Sequence, residues 1–244
     1  MHSVFERAVN LVWHDGSLVT LHGPAPLAAP FAAAIARLPQ AGSLTPGTAV
    51  RRRGSRIMLG PFVLDIAGGT QVDTTVHPTD EAPGLLASTL ASMPRPAVAP
   101  GLSSPTGRWA QHRLASGMRR WNPQALVEGA CALIGLGEGL TPAGDDCLVG
   151  ALAILHRFRD PWLACHPEIN ASITVAARVG TTIVGRDFIL HALEGAFSET
   201  ILRLVTAATA HDVCLAVAAL AETGGTSGAD TLDGMRIALE TLSP

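Results

Sequence analysis

The chain contains no lysine and no tyrosine, so all 17 of its basic residues are arginine. Without lysine there is no phosphate-loop amine of the GxxxxGKS/T type and no Schiff-base former, and without tyrosine there is no phenolic acid. Charge is sparse, with 15% charged residues and a net charge of −3. The one basic run, Arg51-Arg52-Arg53, reads as a solvated strand end. This balance argues against nucleic acid as a partner. The four cysteines, Cys131, Cys147, Cys165 and Cys214, show no CxxC pair and no metal-ligand spacing, and read as small buried residues in a reducing compartment. No stretch approaches the ~18 uncharged apolar residues of a membrane span. Glu6 and Asp15 interrupt the N-terminus where a secretory leader would be apolar. The expected location is the cytoplasm. HExxH and GxSxG patterns are also missing, which leaves metalloprotease and acyl-transfer chemistry unsupported.

What the chain does have is apolar mass. Hydrophobic residues make up 48% of 244 positions, enough for a core burying roughly 70–75% of the unfolded surface. The excess over an average soluble domain predicts surface covered by another subunit, in a homo- or hetero-oligomer.

From Leu11 to Ile66 the pattern is strand-like. Leu11–Trp13, Leu18–His22, Val50–Arg53, Ile57–Leu59 and Phe62–Ile66 are short β-branched or alternating pieces, and Gly60-Pro61 turns the last two together. The Ala-rich segment Pro30 to Leu38 is expected to be a helix stopped by Pro39. After a Gly-, Thr- and Pro-rich transition with one helix at Gly84 to Met93, the period changes. Thr106–Trp121, Pro123–Ile134, Pro142–Phe158, Pro167–Gly180, Thr182–Ala208, Asp212–Glu222 and Ala229–Leu242 carry apolar residues at helical spacing. The predicted class is α+β, with a β-rich region over 1–105 and a helical domain over 106–244. Asn122-Pro123 and Thr141-Pro142 read as caps with a first-turn proline, and Ser227 with Asp230 as a capping box.

The stretch GLGEGLTPAGDD, Gly135 to Asp146, interrupts two helices with three alternating glycines and ends in paired carboxylates. A glycine turn leading into a helix start directs unpaired amides and the positive end of the helix dipole at one spot, which suits phosphate or carboxylate. Gly137, Gly139 and Thr141 are therefore candidate donors. Asp145 and Asp146 are candidate catalytic groups or Mg²⁺ ligands, since Mg²⁺ commonly takes one or two carboxylates beside substrate oxygens. Successive helix positions point about 100° apart, so one of the two Asp is expected to face the ligand and the other to support the site. A second stretch, GGTSGADTLDG from Gly224 to Gly234, repeats the pattern and adds Ser227, Gly228 and Asp230. Thr181, Thr182 and Arg186 form a third group at another helix start, with the guanidinium matching a carboxylate or phosphate fork. The plain alternative is ordinary capping, in which the acids only favour the helix dipole.

The motifs GLGEGLTPAGDDCLVG, TTIVGRDFILHALEGAFSE and GGTSGADTLDGMRIAL resemble a bacterial family of unknown-function domains that includes the third subunit of catabolic oxamate carbamoyltransferase. The resemblance is close from Ala130 to Leu239 and loose before it. It departs at Glu138, where the family often has Pro, and at Gly185, where it often has Ser. It implies a partner subunit resembling the acyl-CoA synthetase α chain, a role in purine-derived nitrogen catabolism, and conversion of oxalurate and phosphate to oxamate and carbamoyl phosphate. Two rivals stand beside that expectation: a Mg²⁺-dependent hydrolase using the GDD carboxylates, and a non-catalytic binding or assembly subunit.

Overall fold

The computed structural model describes residues 1–6, 8–24, 29–39 and 43–242, with residues 160–164 described by backbone only. The chain divides into two compact units, Met1–Thr74 and Thr75–Pro244. The class is α+β, strands first and helices after.

In the first unit, β1 (Ser3–Val4), β2 (Ala8–Val12), β3 (Leu18–His22) and β4 (Ala32–Ala34) form one sheet in chain order. The first two pairings are antiparallel and the third is parallel. Buried Asn10 is satisfied across this sheet, accepting from the Thr20 hydroxyl at 2.8 Å and donating to Ser3 at 3.1 Å. A second sheet, β5 (Val50–Arg53), β6 (Arg56–Leu59) and β7 (Phe62–Asp65), is an antiparallel meander whose last turn is at Gly60-Pro61. Leu59 from β6 joins Val9, Leu11, Leu21 and Leu44 in one apolar cluster, while Arg51, Arg52 and Arg53 are exposed. The helix expected over Pro30 to Leu38 is not formed: Ala32–Ala34 pairs with Thr20–His22 instead. Alanine favours helix by only a few tenths of a kcal/mol over most residues, and a ladder beside β3 outweighs that.

The second unit is helical: α1 (Gly84–Ser92), α2 (Pro100–Ser103), α3 (Pro105–Arg120), α4 (Pro123–Leu133), α5 (Ala143–Ala164), α6 (Pro167–Gly180), α7 (Ile183–Leu193), α8 (Glu199–Val205), α9 (Ala210–Ala221) and α10 (Ser227–Leu242). At the centre lies α5, buried continuously from Ala143 to Leu155 and packed chiefly on α10. Ser104, Asn122, Thr182 and Thr209 each accept a backbone N–H three residues on, as N-caps should. None of the described helices is long and apolar enough to cross a membrane.

Several expectations are corrected here. The single helix over Thr182 to Ala208 is two, because the chain breaks after Leu193 and Ala196 pairs with Thr75 while the Gly195 carbonyl takes the Val76 N–H at 2.8 Å. Helix α5 is interrupted at non-helical Arg159, directly after the expected end at Phe158, and the helical segment beyond the kink is not among the expected elements. Of the cysteines, Cys147 is buried, but Cys165 and Cys214 are exposed and Cys131 is intermediate. Thr141 and Ser227 do not cap as expected. Helix α5 begins at Ala143 and α10 at Ser227 itself, so each hydroxyl is placed for another partner.

Candidate functional site

The starts of three helices meet around the glycine loop. Thr141, before α5, and Ser227, opening α10, share a hydrogen bond of 2.9 Å between their hydroxyls. Thr181, at the end of α6, donates its hydroxyl to Asp145 Oδ2, and Thr182, the cap of α7, donates to the Leu140 carbonyl. Hydroxyl side chains thus fasten the loop from both sides. Of these four hydroxyls, Thr182 alone sits where capping chemistry favours one, at the entry of α7.

Within the loop, Gly135, Gly137 and Gly139 all have positive φ, at 74°, 119° and 100°. The first turn is closed by Leu136 N–H to the Leu133 carbonyl at 2.9 Å, and the last by Gly144 N–H to the Leu136 carbonyl at 2.8 Å. Between them, the N–H groups of Gly137, Glu138, Gly139, Leu140 and Thr141 make no hydrogen bond to a described residue. Residues 137–140 are exposed, so this run of donors opens outward at the start of α5.

The paired carboxylates have separate duties. Asp145 is buried, and its oxygens accept from Gly135 N–H at 2.7 Å and from Thr181, so it anchors the loop to α5 and to the α6–α7 corner. Burial raises its pKa, and those two donors partly hold it back. Gly185 packs against this carboxylate; a Cβ there would collide with Asp145 Oδ2. Asp146 is different. Its carboxyl is pushed up to about 8, chiefly by burial, against the pull of the Ser227 and Thr141 hydroxyls and with a further push from the Asp230 charge. Its Oδ2 is buried without a hydrogen-bond partner.

Asp230, one turn into α10, is fully buried, and its Oδ1 takes the Ala99 N–H at 2.8 Å. Burial raises its pKa too, and Oδ2 has no hydrogen-bond partner. This contact ties in the start of α2, whose Gly101 lies against the Gly137 backbone. Sequence patterns gave no notice of Ala99 or Gly101, because backbone donors carry no side-chain signature. Gly228 is pressed against the Leu220 carbonyl, a packing position. Arg186 spends its Nε on buried Asp187 at 2.7 Å. For a metal, Asp145 already serves protein donors, and among the described residues no three His, Cys, Asp or Glu side chains gather as a ligand set.

Around the loop stand unpaired N–H donors at the start of α5, the Asp146 carboxyl pushed up to about 8, and Asp230, also raised by burial. Such a site suits a small ligand with an anionic end and a neutral N–H end.

Two family models match the chain. The one described as oxamate carbamoyltransferase subunit AllH covers residues 133–239, and the one described as the AllH family N-terminal domain covers residues 1–74. No solved structure matches. The first match contains the glycine loop, Asp145, Asp146 and Asp230, and the second has the bounds of the β unit; this chain belongs to the AllH family.

Proposed function

We propose that the chain is a subunit of a carbamoyltransferase-type complex and binds a small anionic or ureido ligand, such as oxalurate, oxamate or carbamoyl phosphate, at its glycine–Asp loops. The observation that carries this is the run of unpaired N–H groups from Gly137 to Thr141 at the start of α5. Anions are stabilised there by the amides and by the helix dipole. Asp145 and Thr181 hold the loop in shape, Thr141 and Ser227 join it to α10, and Asp146 and Asp230 line its buried side. Thr182 and Gly228 support it, and Arg186 sets the α7 corner through Asp187.

In the reaction implied by the family, a phosphate oxygen attacks the terminal ureido carbonyl of oxalurate. The bond from that carbon to the oxamate nitrogen breaks, and the nitrogen takes a proton as carbamoyl phosphate leaves. Asp146, holding its proton near neutral pH, is the acid placed to supply it. Donors fixed before the reaction stabilise developing charge without reorganising. The other subunits of the complex contribute the remainder, in the cytoplasm and in purine-derived nitrogen catabolism.

Thermal unfolding of the purified chain with phosphate, carbamoyl phosphate, oxamate and oxalurate, each with and without Mg²⁺, tests this reading. A ligand at 100 times its Kd adds about 2.7 kcal/mol. The expected result is stabilisation by at least one of them, lost in Asp145→Ala. No shift from any ligand sinks the proposal of a site on this chain.

A further inference from the structure

Two buried oxygens of the cluster have no hydrogen-bond partner among the described residues. Asp146 Oδ2 and Asp230 Oδ2 are shielded from solvent and accept no hydrogen bond, although Asp230 is 0% exposed and Asp146 only 9%. Buried polar groups are nearly always paired, and those that are not call for an explanation such as a ligand or water. Ala99 N–H is spent on Asp230 Oδ1, and Thr141 and Ser227 share one hydrogen bond; these two hydroxyls pull on the Asp146 carboxyl, and Thr226 on Asp230, without completing a hydrogen bond to either Oδ2.

We propose that Asp146 and Asp230 read the uncharged N–H₂ end of the ligand, their unpaired Oδ2 atoms accepting the two N–H groups of a primary amide or carbamoyl group. This rests on the ligand site proposed above and adds its orientation and selectivity: the anionic end lies on the Gly137–Thr141 amides, and the N–H₂ end lies inward.

Other occupants fit these oxygens less well. Phosphate and carboxylate oxygens offer no N–H to two acceptor oxygens, and the donors that suit an anion are the loop amides at the start of α5. A divalent cation would want more than two carboxylates here, and no third His, Cys, Asp or Glu completes a set among the described residues. An amide nitrogen carries two donors and no charge, and so matches two acceptors set apart on α5 and α10.

Selectivity is the consequence that can be measured. A site built to bond an N–H group rejects the analogue that lacks it, because its own buried acceptors are then left unpaired. The experiment is calorimetric titration of the full chain with two matched pairs: oxamate against oxalate, in which O⁻ replaces N–H₂, and carbamoyl phosphate against acetyl phosphate, in which methyl replaces it. The expected result is at least about tenfold tighter binding of the N–H₂ member of a pair. In Asp146→Ala and Asp230→Ala that ratio falls toward one, and the Asn variants, which can turn one oxygen to the ligand, recover part of it. Cooperative thermal unfolding of each variant verifies the fold, and the wild-type ratios stand as a test without any variant.

Equal affinity within both pairs overturns the inference and leaves the ligand site intact. A ratio unchanged in both folded Ala variants overturns the assignment to these two residues. Stabilisation by Mg²⁺ alone, lost in both variants, puts a cation there instead and overturns it as well. Failure of all four compounds to bind overturns this inference together with the site it rests on.

Discussion

The two glycine–Asp loops look alike as strings of letters and differ as structures. Before α5, Gly135 to Thr141 turns outward, leaves five successive N–H groups without a partner among the described residues and hangs on Asp145 and two threonine hydroxyls. The second stretch enters the core only within α10: Gly228 abuts the Leu220 carbonyl, Thr231 bonds back to the Ser227 carbonyl at 2.8 Å, and Asp230 Oδ1 takes the Ala99 N–H. One loop is built as an opening and the other as a wall. The same residue types serve both ends because glycine permits either a left-handed turn or a close approach, and Asp either anchors or remains unpaired.

The largest difference between anchored and unanchored acids should appear with pH. Asp146 has a folded value of about 8 against an ordinary 3.8. Between about pH 4 and pH 8 the unfolded chain has therefore released a proton that the folded chain keeps. The stabilisation is complete below pH 4 and is lost as pH rises through 8. A tenfold difference in proton affinity between the folded and unfolded chain corresponds to ~1.4 kcal/mol, so this one group contributes on the order of 5 kcal/mol across the window. Urea unfolding at intervals from pH 5 to pH 9 should show stability falling, and Asp146→Asn should flatten much of the slope. Asp145, Asp230 and Asp233 are raised in the same direction and leave the remainder. A wild-type profile that rises with pH contradicts this account.

Next in size is Gly228→Ala. Its Cβ would meet the Leu220 carbonyl and carbon and the Ala221 Cα, all backbone atoms that cannot rotate away. The strain should cost about 3 kcal/mol, at the upper end for overpacking. A denaturation midpoint within experimental scatter of wild type would mean the wall is softer than its contacts imply.

Removing the anchor of the open loop should cost somewhat less. Asp145→Ala leaves the Gly135 N–H and the Thr181 hydroxyl unmet, a loss of about 2 kcal/mol. Thr181→Val should cost about 1 kcal/mol, and the double variant less than the sum of the two, since they share one bond. Strict additivity would show that Asp145 and Thr181 act independently.

How much of this could be read from the sequence divides along the same line. Helical periodicity located most of the second unit, and alternation located most of the strands, because both report which face is buried. Thr141, Asp145, Asp146, Ser227 and Asp230 could be singled out because they stand beside clustered glycines, which are costly in a helix, and because that pattern occurs twice. Their division of labour could not. Asp145 and Asp146 are neighbours in sequence, and only the approach of Gly135, Thr181 and Ala99 from distant positions separates the anchor from the unpaired acids. The missed β4 and the break between α7 and α8 have the same cause. Pairing with Thr20–His22 and with Thr75 is a tertiary fact that local composition does not encode.

A small effect on stability, similar to that of Thr181→Val, belongs to Gly139→Ala, and it isolates the role of the loop. At φ 100° an alanine is strained, but nothing lies within 4 Å of the added Cβ. The fold should therefore lose only about 1 kcal/mol. The loop can relieve that strain only by rotating its peptide groups, which turns the unpaired N–H donors away from one another. Ligand stabilisation should accordingly fall much further than stability does, whereas Gly228→Ala should lower both through the fold. Measuring the melting temperature of each variant with and without carbamoyl phosphate separates the two effects. If Gly139→Ala binds as well as wild type, the orientation of the loop amides is irrelevant to the ligand, and the outward loop is only a connection.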